Sequence, residues 1–246
     1  MNKMTGASMV AVALMLASCG DNSGNGSSSA NLNQALPQVP APNNGDWTQV
    51  VEQTPEGGFR MGNPNAPVKL VEYASMTCPH CRAFSEAASE RLRDTYVKSG
   101  QVSFEYRNFV LNALDAAASL VARCQGPQAF FRINEQLFAN QEQWTGALSD
   151  EEQTRIGQLP EGQQVPALFR AADLDQFFRQ RGVPEARINQ CLANQQELQR
   201  LADMRQTASD RYQIPGTPGF LINDELVRDV TTWGQLEPVL RERIGS

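Results

Sequence analysis

From residue 47 onward the chain switches between runs that would bury a whole segment and runs that would bury one face. Val68-Lys69-Leu70-Val71-Glu72-Tyr73 is a mostly apolar run of strand length. Beyond it Ala83, Phe84, Ala87, Ala88 and Leu92 recur at helical spacing, which predicts a helix from about Cys78 until Gly100 stops it. Val102-Ser103-Phe104-Glu105-Tyr106 alternates like a second strand. Strand, helix, strand predicts a right-handed parallel unit. Helical periodicity then runs from about 111 to 212, interrupted at Gly126-Pro127 and between Pro160 and Pro166. Two short strands follow, Gly219-Phe220-Leu221-Ile222 and Leu226-Val227, joined by a turn at Asn223-Asp224, and a last helix covers about 232–244. Upstream, residues 46–59 read as an extended segment and turn, and residues 61–67 as a loop. The pattern is that of an α/β domain.

The first 46 residues read differently. Lys3 precedes a short apolar stretch, residues 8–16, too short to span a bilayer as a helix. It ends in Leu16-Ala17-Ser18-Cys19, which resembles the bacterial lipobox, whose cysteine is lipidated and becomes the first residue of the mature chain. The alternative is an ordinary secretory signal with an incidental cysteine. Residues 20–46 are mostly Gly, Ser, Asn, Gln and Pro, with little to bury, as suits a tether. The expected organisation is a lipoprotein signal peptide over 1–18, lipidated Cys19 with a flexible linker over 19–46, and a folded domain over 47–246. The protein would be exported and lipid-anchored to a bacterial membrane, facing the periplasm or cell envelope.

The formal charge of −6, with charges dispersed along the chain, leaves no basic face for phosphates and argues against nucleic-acid binding. Export changes how the five cysteines read, because outside the cytosol thiols that can pair usually do. Setting Cys19 aside leaves Cys78, Cys81, Cys124 and Cys191. One C-x-x-C followed by two isolated cysteines does not have the spacing of a structural zinc site. A copper site would need a distal ligand, and the only histidine, His80, already lies between Cys78 and Cys81. No metal is expected. Cys124 shares a helix face with Leu120 and Val121, and Cys191 with Ile188 and Leu192, so both face the core of the helical region. A structural Cys124–Cys191 disulfide is the reading favoured over two buried free thiols.

Cys78 falls where the first strand exits and the helix begins. Unpaired backbone N–H groups and the positive end of the helix dipole stabilise a thiolate there. Pro79 suits the first helical position, where its missing N–H costs nothing. His80 would add a donor or a positive charge beside the sulfur. Each effect favours the reduced, ionised form over the disulfide, and a pair with a favoured reduced form is an oxidant. Cys81, one turn further in, would be less exposed and would resolve mixed disulfides.

Cys78-Pro79-His80-Cys81 after a strand carrying Glu72 resembles the DsbA-like branch of the thioredoxin superfamily, and Ile214-Pro215-Gly216-Thr217-Pro218-Gly219-Phe220 is similar to a second element of that branch. The resemblance covers about 47–244. It implies a thioredoxin fold with a helical insertion, about 111–212, between the two halves of the sheet. It also implies a cis peptide bond before Pro218, packed against the cysteine pair, with Thr217 presenting backbone to a bound partner. For Glu72 it implies a buried acid beneath the disulfide that moves a proton to or from Cys81; a carboxylate reaching solvent at a sheet end is the other reading. The implied activity is that of a cofactor-free thiol-disulfide oxidoreductase. In its most direct form this is a dithiol oxidase that acts on reduced exported proteins and is recycled by a DsbB-like membrane oxidase. Thr217 stands where family oxidases often carry valine and isomerases threonine, so a reductase or isomerase is the alternative. A metal-binding or structural lipoprotein is the alternative from another class. The family's isomerases resemble dimers built through a separate N-terminal domain, which residues 20–60 cannot form, so a monomer is expected.

Overall fold

The computed structural model describes residues 1, 32 and 34–245. Cys19, the expected signal peptide apart from Met1, and half of the expected 19–46 linker lie outside the described residues. Six strands among them form one sheet: β1 (Val51–Gln53), β2 (Phe59–Gly62), β3 (Val68–Ala74), β4 (Val102–Asn108), β5 (Gly219–Ile222) and β6 (Glu225–Val227), ordered β1-β2-β4-β3-β5-β6. β3 and β4 are parallel, joined by α1 (Pro79–Arg91), and the other pairs are antiparallel. The predicted parallel unit therefore stands at the centre of the sheet. Its register sets Glu72 beside Tyr106 of β4 on one side and Phe220 of β5 on the other.

The insertion between β4 and β5 holds α2 (Ala113–Cys124), α3 (Pro127–Ala139), α4 (Gln141–Gly146), α5 (Asp150–Gly157), α6 (Glu161–Ala171), α7 (Leu174–Arg179), α8 (Glu185–Leu192) and α9 (Gln195–Asp210); α10 (Trp233–Gly245) ends the fold. Two of the helix breaks fall where the prolines and glycine suggest. Gly126 (φ +83°) precedes α3 and Pro160 precedes α6, whereas Pro166 sits inside α6. Other breaks use polar caps, as at Asn194, whose side chain accepts the Glu197 N–H.

One sheet face is covered by Phe84 and Ala88 of α1 and Leu92 just beyond it, with Leu236 and Leu240 of α10, packed on Leu70, Phe220 and Ile222. The other meets Ala208 and Ile214, on Val71, Tyr73 and Leu221. The α3 stripe Phe130, Phe131, Leu137 and Phe138 is buried and joins the insertion to the sheet, with Phe130 stacked on Phe59 of β2 at 4.4 Å. Cys124 and Cys191 form a disulfide that ties the end of α2 to α8.

The folded part begins earlier than Trp47. Leu36 is buried in the α1–α10 core, and the Val39 N–H donates to the Ser99 carbonyl at 2.8 Å. The Trp47 indole donates to the Val39 carbonyl at 2.8 Å, and Arg91 and Arg241 donate to the Leu32 carbonyl. Gly100, at φ +75°, makes the close approach possible, because a Cβ there would lie 2.6 Å from the Trp47 indole nitrogen. Two apolar residues in a polar stretch and a row of backbone carbonyls suffice to dock this segment. The expected 19–46 linker is shortened accordingly.

Candidate active site

The turn after β3, residues 75–78, delivers Cys78 to the start of α1. Cys78 keeps extended backbone angles (φ −81°, ψ 121°) while Pro79 opens the helix. The Cys78 thiol donates to the Thr217 carbonyl at 3.4 Å, and the Thr217–Pro218 peptide bond is cis, so the two separate sequence elements meet at this sulfur. Cys78 and Cys81 are both free thiols, and Cys81 is 0% exposed.

The two sulfurs differ sharply in acidity. Cys78 is held down at about 5, chiefly because the Cys81 thiol donates to its thiolate. Burial opposes this. The Thr217 side chain and the backbone N–H groups of Cys81 and His80 assist it, the N–H groups being directed at the sulfur without closing a full cap hydrogen bond. Cys81 is pushed far above the usual thiol value, first by burial, then by its donation to Cys78 and by the negative charges of Glu72 and Cys78. The His80 imidazole is exposed. The His80 backbone N–H is one of the groups directed at the Cys78 sulfur, a contribution that reading the sequence does not separate from the imidazole.

Glu72 is 4% exposed. Burial, and secondarily the Cys78 thiolate, push its pKa up to about 8. The structure thus puts Glu72 inside, and of its two readings the solvent-reaching carboxylate drops out. A cavity of about 30 Å³, with room for about one water, is lined by Glu72, Tyr106, Asn134 and Ser85. The buried Tyr106 hydroxyl and Asn134 Oδ1, both on its wall, have no protein hydrogen-bond partner.

Two residues of the site were not singled out from the sequence. Asp115, in the first turn of α2, accepts hydrogen bonds from the Ser75 hydroxyl (2.6 Å) and the Met76 N–H (3.1 Å). Gln141, the first residue of α4, donates to the Met76 and Cys78 carbonyls at 2.8 and 3.0 Å. Next to it, Glu142 pairs with Arg82 of α1. The only signal in the sequence was a lone carboxylate within the apolar face of a helix, and a polar residue at a helix start.

A thioredoxin family model matches residues 54–242. A Rickettsia prowazekii protein, provisionally named a protein-disulfide oxidoreductase, is 25% identical over 178 residues, which are 72% of this chain but 58% of that relative. The chain therefore spans little more than half the length of that relative. Disulfide bond formation protein D of Bacillus subtilis is 21% identical over 194 residues, 75% of this chain and 76% of the relative. Among solved structures, the protein-disulfide isomerase of Novosphingobium aromaticivorans is 29% identical with a TM-score of 0.73, covering 76% of this chain and 97% of that one. Wolbachia pipientis alpha-DsbA1 shares the fold at 20% identity and a TM-score of 0.62, covering 84% and 94%. With a central parallel unit, a helical insertion and a C-x-x-C pair facing a cis-proline, the chain belongs to the thioredoxin family.

Proposed function

We propose that the protein is a thiol-disulfide oxidoreductase that works chiefly as a dithiol oxidase through Cys78 and Cys81. The observation that carries this is the inequality of the two thiols: Cys78, 6% exposed at the helix start and against Thr217, is readily ionised, and Cys81, 0% exposed, is held protonated. In the oxidised protein a substrate thiolate attacks Sγ of Cys78, the bond to Cys81 breaks, and Cys81 leaves with the electron pair. Its departing sulfur takes up a proton, and Glu72, protonated up to about pH 8, is the buried acid able to supply it. The substrate's second thiolate then attacks its own mixed-disulfide sulfur and expels Cys78 as a stabilised thiolate. Product release in this direction thus belongs to the substrate. Resolution by Cys81, expected from the sequence, serves the reverse, reducing direction.

The disposition of Thr217 and Pro218 supports an extended polypeptide as substrate. A cleft of about 380 Å³ runs from them along Leu226, Arg228 and Thr231. We take the substrates to be reduced exported proteins, the recycling partner a DsbB-like membrane oxidase, and the location a membrane surface reached through lipid on Cys19. The mass of the mature N-terminus tests the last point: an acylated cysteine supports it, an unmodified residue elsewhere removes it. Isomerase or reductase activity is the second reading, favoured by Thr217 and by the isomerase name of the Novosphingobium relative. In the direct test, Cys81→Ser meets a peptide disulfide and should accumulate a mixed disulfide on Cys78. Cys78→Ser should form none and lose all dithiol oxidation. A mixed disulfide on any other cysteine would remove the reading.

A further inference from the structure

The turn that presents Cys78 is held by side chains of the helical insertion. Asp115 is 0% exposed and accepts from the Ser75 hydroxyl, the Met76 N–H, the Leu111 N–H (3.0 Å) and the Ser119 hydroxyl (3.3 Å). Keeping a carboxylate so deeply buried is unfavourable, and burial raises its pKa to about 6 in spite of those donors. From the opposite side Gln141, 3% exposed, donates from one amide nitrogen to the carbonyls of both Met76 and Cys78. Met76 is therefore held at its N–H and its C=O. The Cys78 carbonyl, which also accepts the first helical bond from the Arg82 N–H at 3.1 Å, is fixed by two donors. That matters for the sulfur next to it. Cys78 meets the helix N–H groups only while its own backbone stays extended, as a residue preceding a helix must. Without Gln141 the Cys78 carbonyl is held by the Arg82 N–H alone and the Met76 carbonyl loses its donor, which loosens the turn and lets the sulfur drift out of that alignment.

We propose that Gln141 and Asp115 are positioning residues through which the helical insertion sets the nucleophilicity of Cys78. Neither touches the reacting sulfurs. They act on the peptide groups that aim the sulfur at the helix start and at Thr217. The insertion is then part of the reaction machinery as well as a cover for the sheet. The proposal rests on the reading of Cys78 as the nucleophile.

The test is the rate of alkylation of Cys78 against pH in Gln141→Met, which preserves volume and removes both donated bonds, together with the melting temperatures of its reduced and oxidised forms. The loss of hydrogen bonds that support a charged group is worth about one pKa unit. The midpoint of the rate profile should therefore rise by about one unit, with up to tenfold less thiolate below it. The gap between the reduced and oxidised melting temperatures should shrink. Asp115→Asn, which loses acceptor capacity on the other side of the turn, should move the midpoint in the same direction and provides the test if Gln141→Met does not fold. A midpoint unchanged from wild type, with both redox forms destabilised alike, would overturn the proposal and leave the two residues as scaffold. A wild-type midpoint at the ordinary thiol value is a different result: it would remove the reading of Cys78 as an activated nucleophile, and this inference with it.

Discussion

Glu72→Gln should stabilise the reduced protein at pH 9 by about 4–5 kcal/mol relative to wild type, while leaving its stability at pH 4 nearly unchanged. The sign follows from the direction of the shift. Glu72 has a folded pKa near 8, against an ordinary value of 4.5. Below pH 4.5 the carboxyl is protonated in both folded and unfolded chains and contributes no difference. Between 4.5 and 8 the unfolded chain gains by ionising and the folded one does not. Each pH unit in that window therefore removes about 1.4 kcal/mol from the stability of the fold. Glutamine cannot ionise, so the variant escapes the loss. The Cys78 thiolate pulls stability the opposite way with pH, but it is present in both proteins and largely cancels in the difference. Urea unfolding of both reduced proteins from pH 4 to 9 reads the effect. Parallel stability curves would show that Glu72 ionises normally in the fold. The same substitution removes the buried acid, so departure of Cys81 as a leaving group should slow even as the fold becomes firmer.

Removal of the Cys124–Cys191 bond by a double serine substitution should cost about 4 kcal/mol. The bond closes a loop with a sequence separation of 67 residues, for which the chain-entropy relation gives about 4 kcal/mol from the unfolded state alone. The Cys191→Ser change also leaves a hydroxyl in the buried cluster beside Ile188 and Leu192, with the Gln125 amide as a polar neighbour. The loss should appear as a lowered midpoint of chemical unfolding, with Cys78 still reacting as an ionised thiol in the folded protein. No change in midpoint would mean that helix packing alone joins α2 to α8. An unreactive Cys78 would mean that this bond also shapes the site, through the helix that carries Asp115.

Much of the fold could be read in advance, for reasons visible in particular residues. The 68–73 and 102–106 segments are apolar or alternating and bounded by Pro67 and Gly100, so period and punctuation agree. The cysteine pair was legible because a thiol next to a proline at a helix start has a chemical meaning independent of the rest of the chain. Where the reading stopped short, the cause was long-range contact. Leu36 and Val39 look stranded in a polar tract, and only the packed α1–α10 core, for Leu36, and Trp47, Ser99 and Gly100, for Val39, give them somewhere to dock. Asp115 reads as an ordinary first-turn acid until four donors, one of them 40 residues away, converge on it. Gln141 is one glutamine among many, and its reach to Met76 across 65 residues has no local signature. His80 shows how a backbone contribution escapes a reading of side chains. A residue placed between the cysteines invites a side-chain role, and at a helix start its backbone N–H is also offered to the sulfur.

The central claim is that the reduced pair is favoured because Cys78 is ionised, and its reduction potential at pH 7 measures that most directly. A thiol held near 5 gains about two pKa units of stabilisation at pH 7 over an ordinary one near 8.5, and each unit is worth about 30 mV in a two-electron couple. A dithiol that would otherwise sit with the glutathione pool, at about −240 mV, is thereby raised by up to about 60 mV. Equilibration of the Cys78–Cys81 pair in defined glutathione buffers should therefore give a potential above about −200 mV, with the dithiol form predominating where a glutathione-matched pair would be half oxidised. A potential at or below about −240 mV would contradict the account, because it would show that the ionised Cys78 does not bias the pair toward oxidising its substrates.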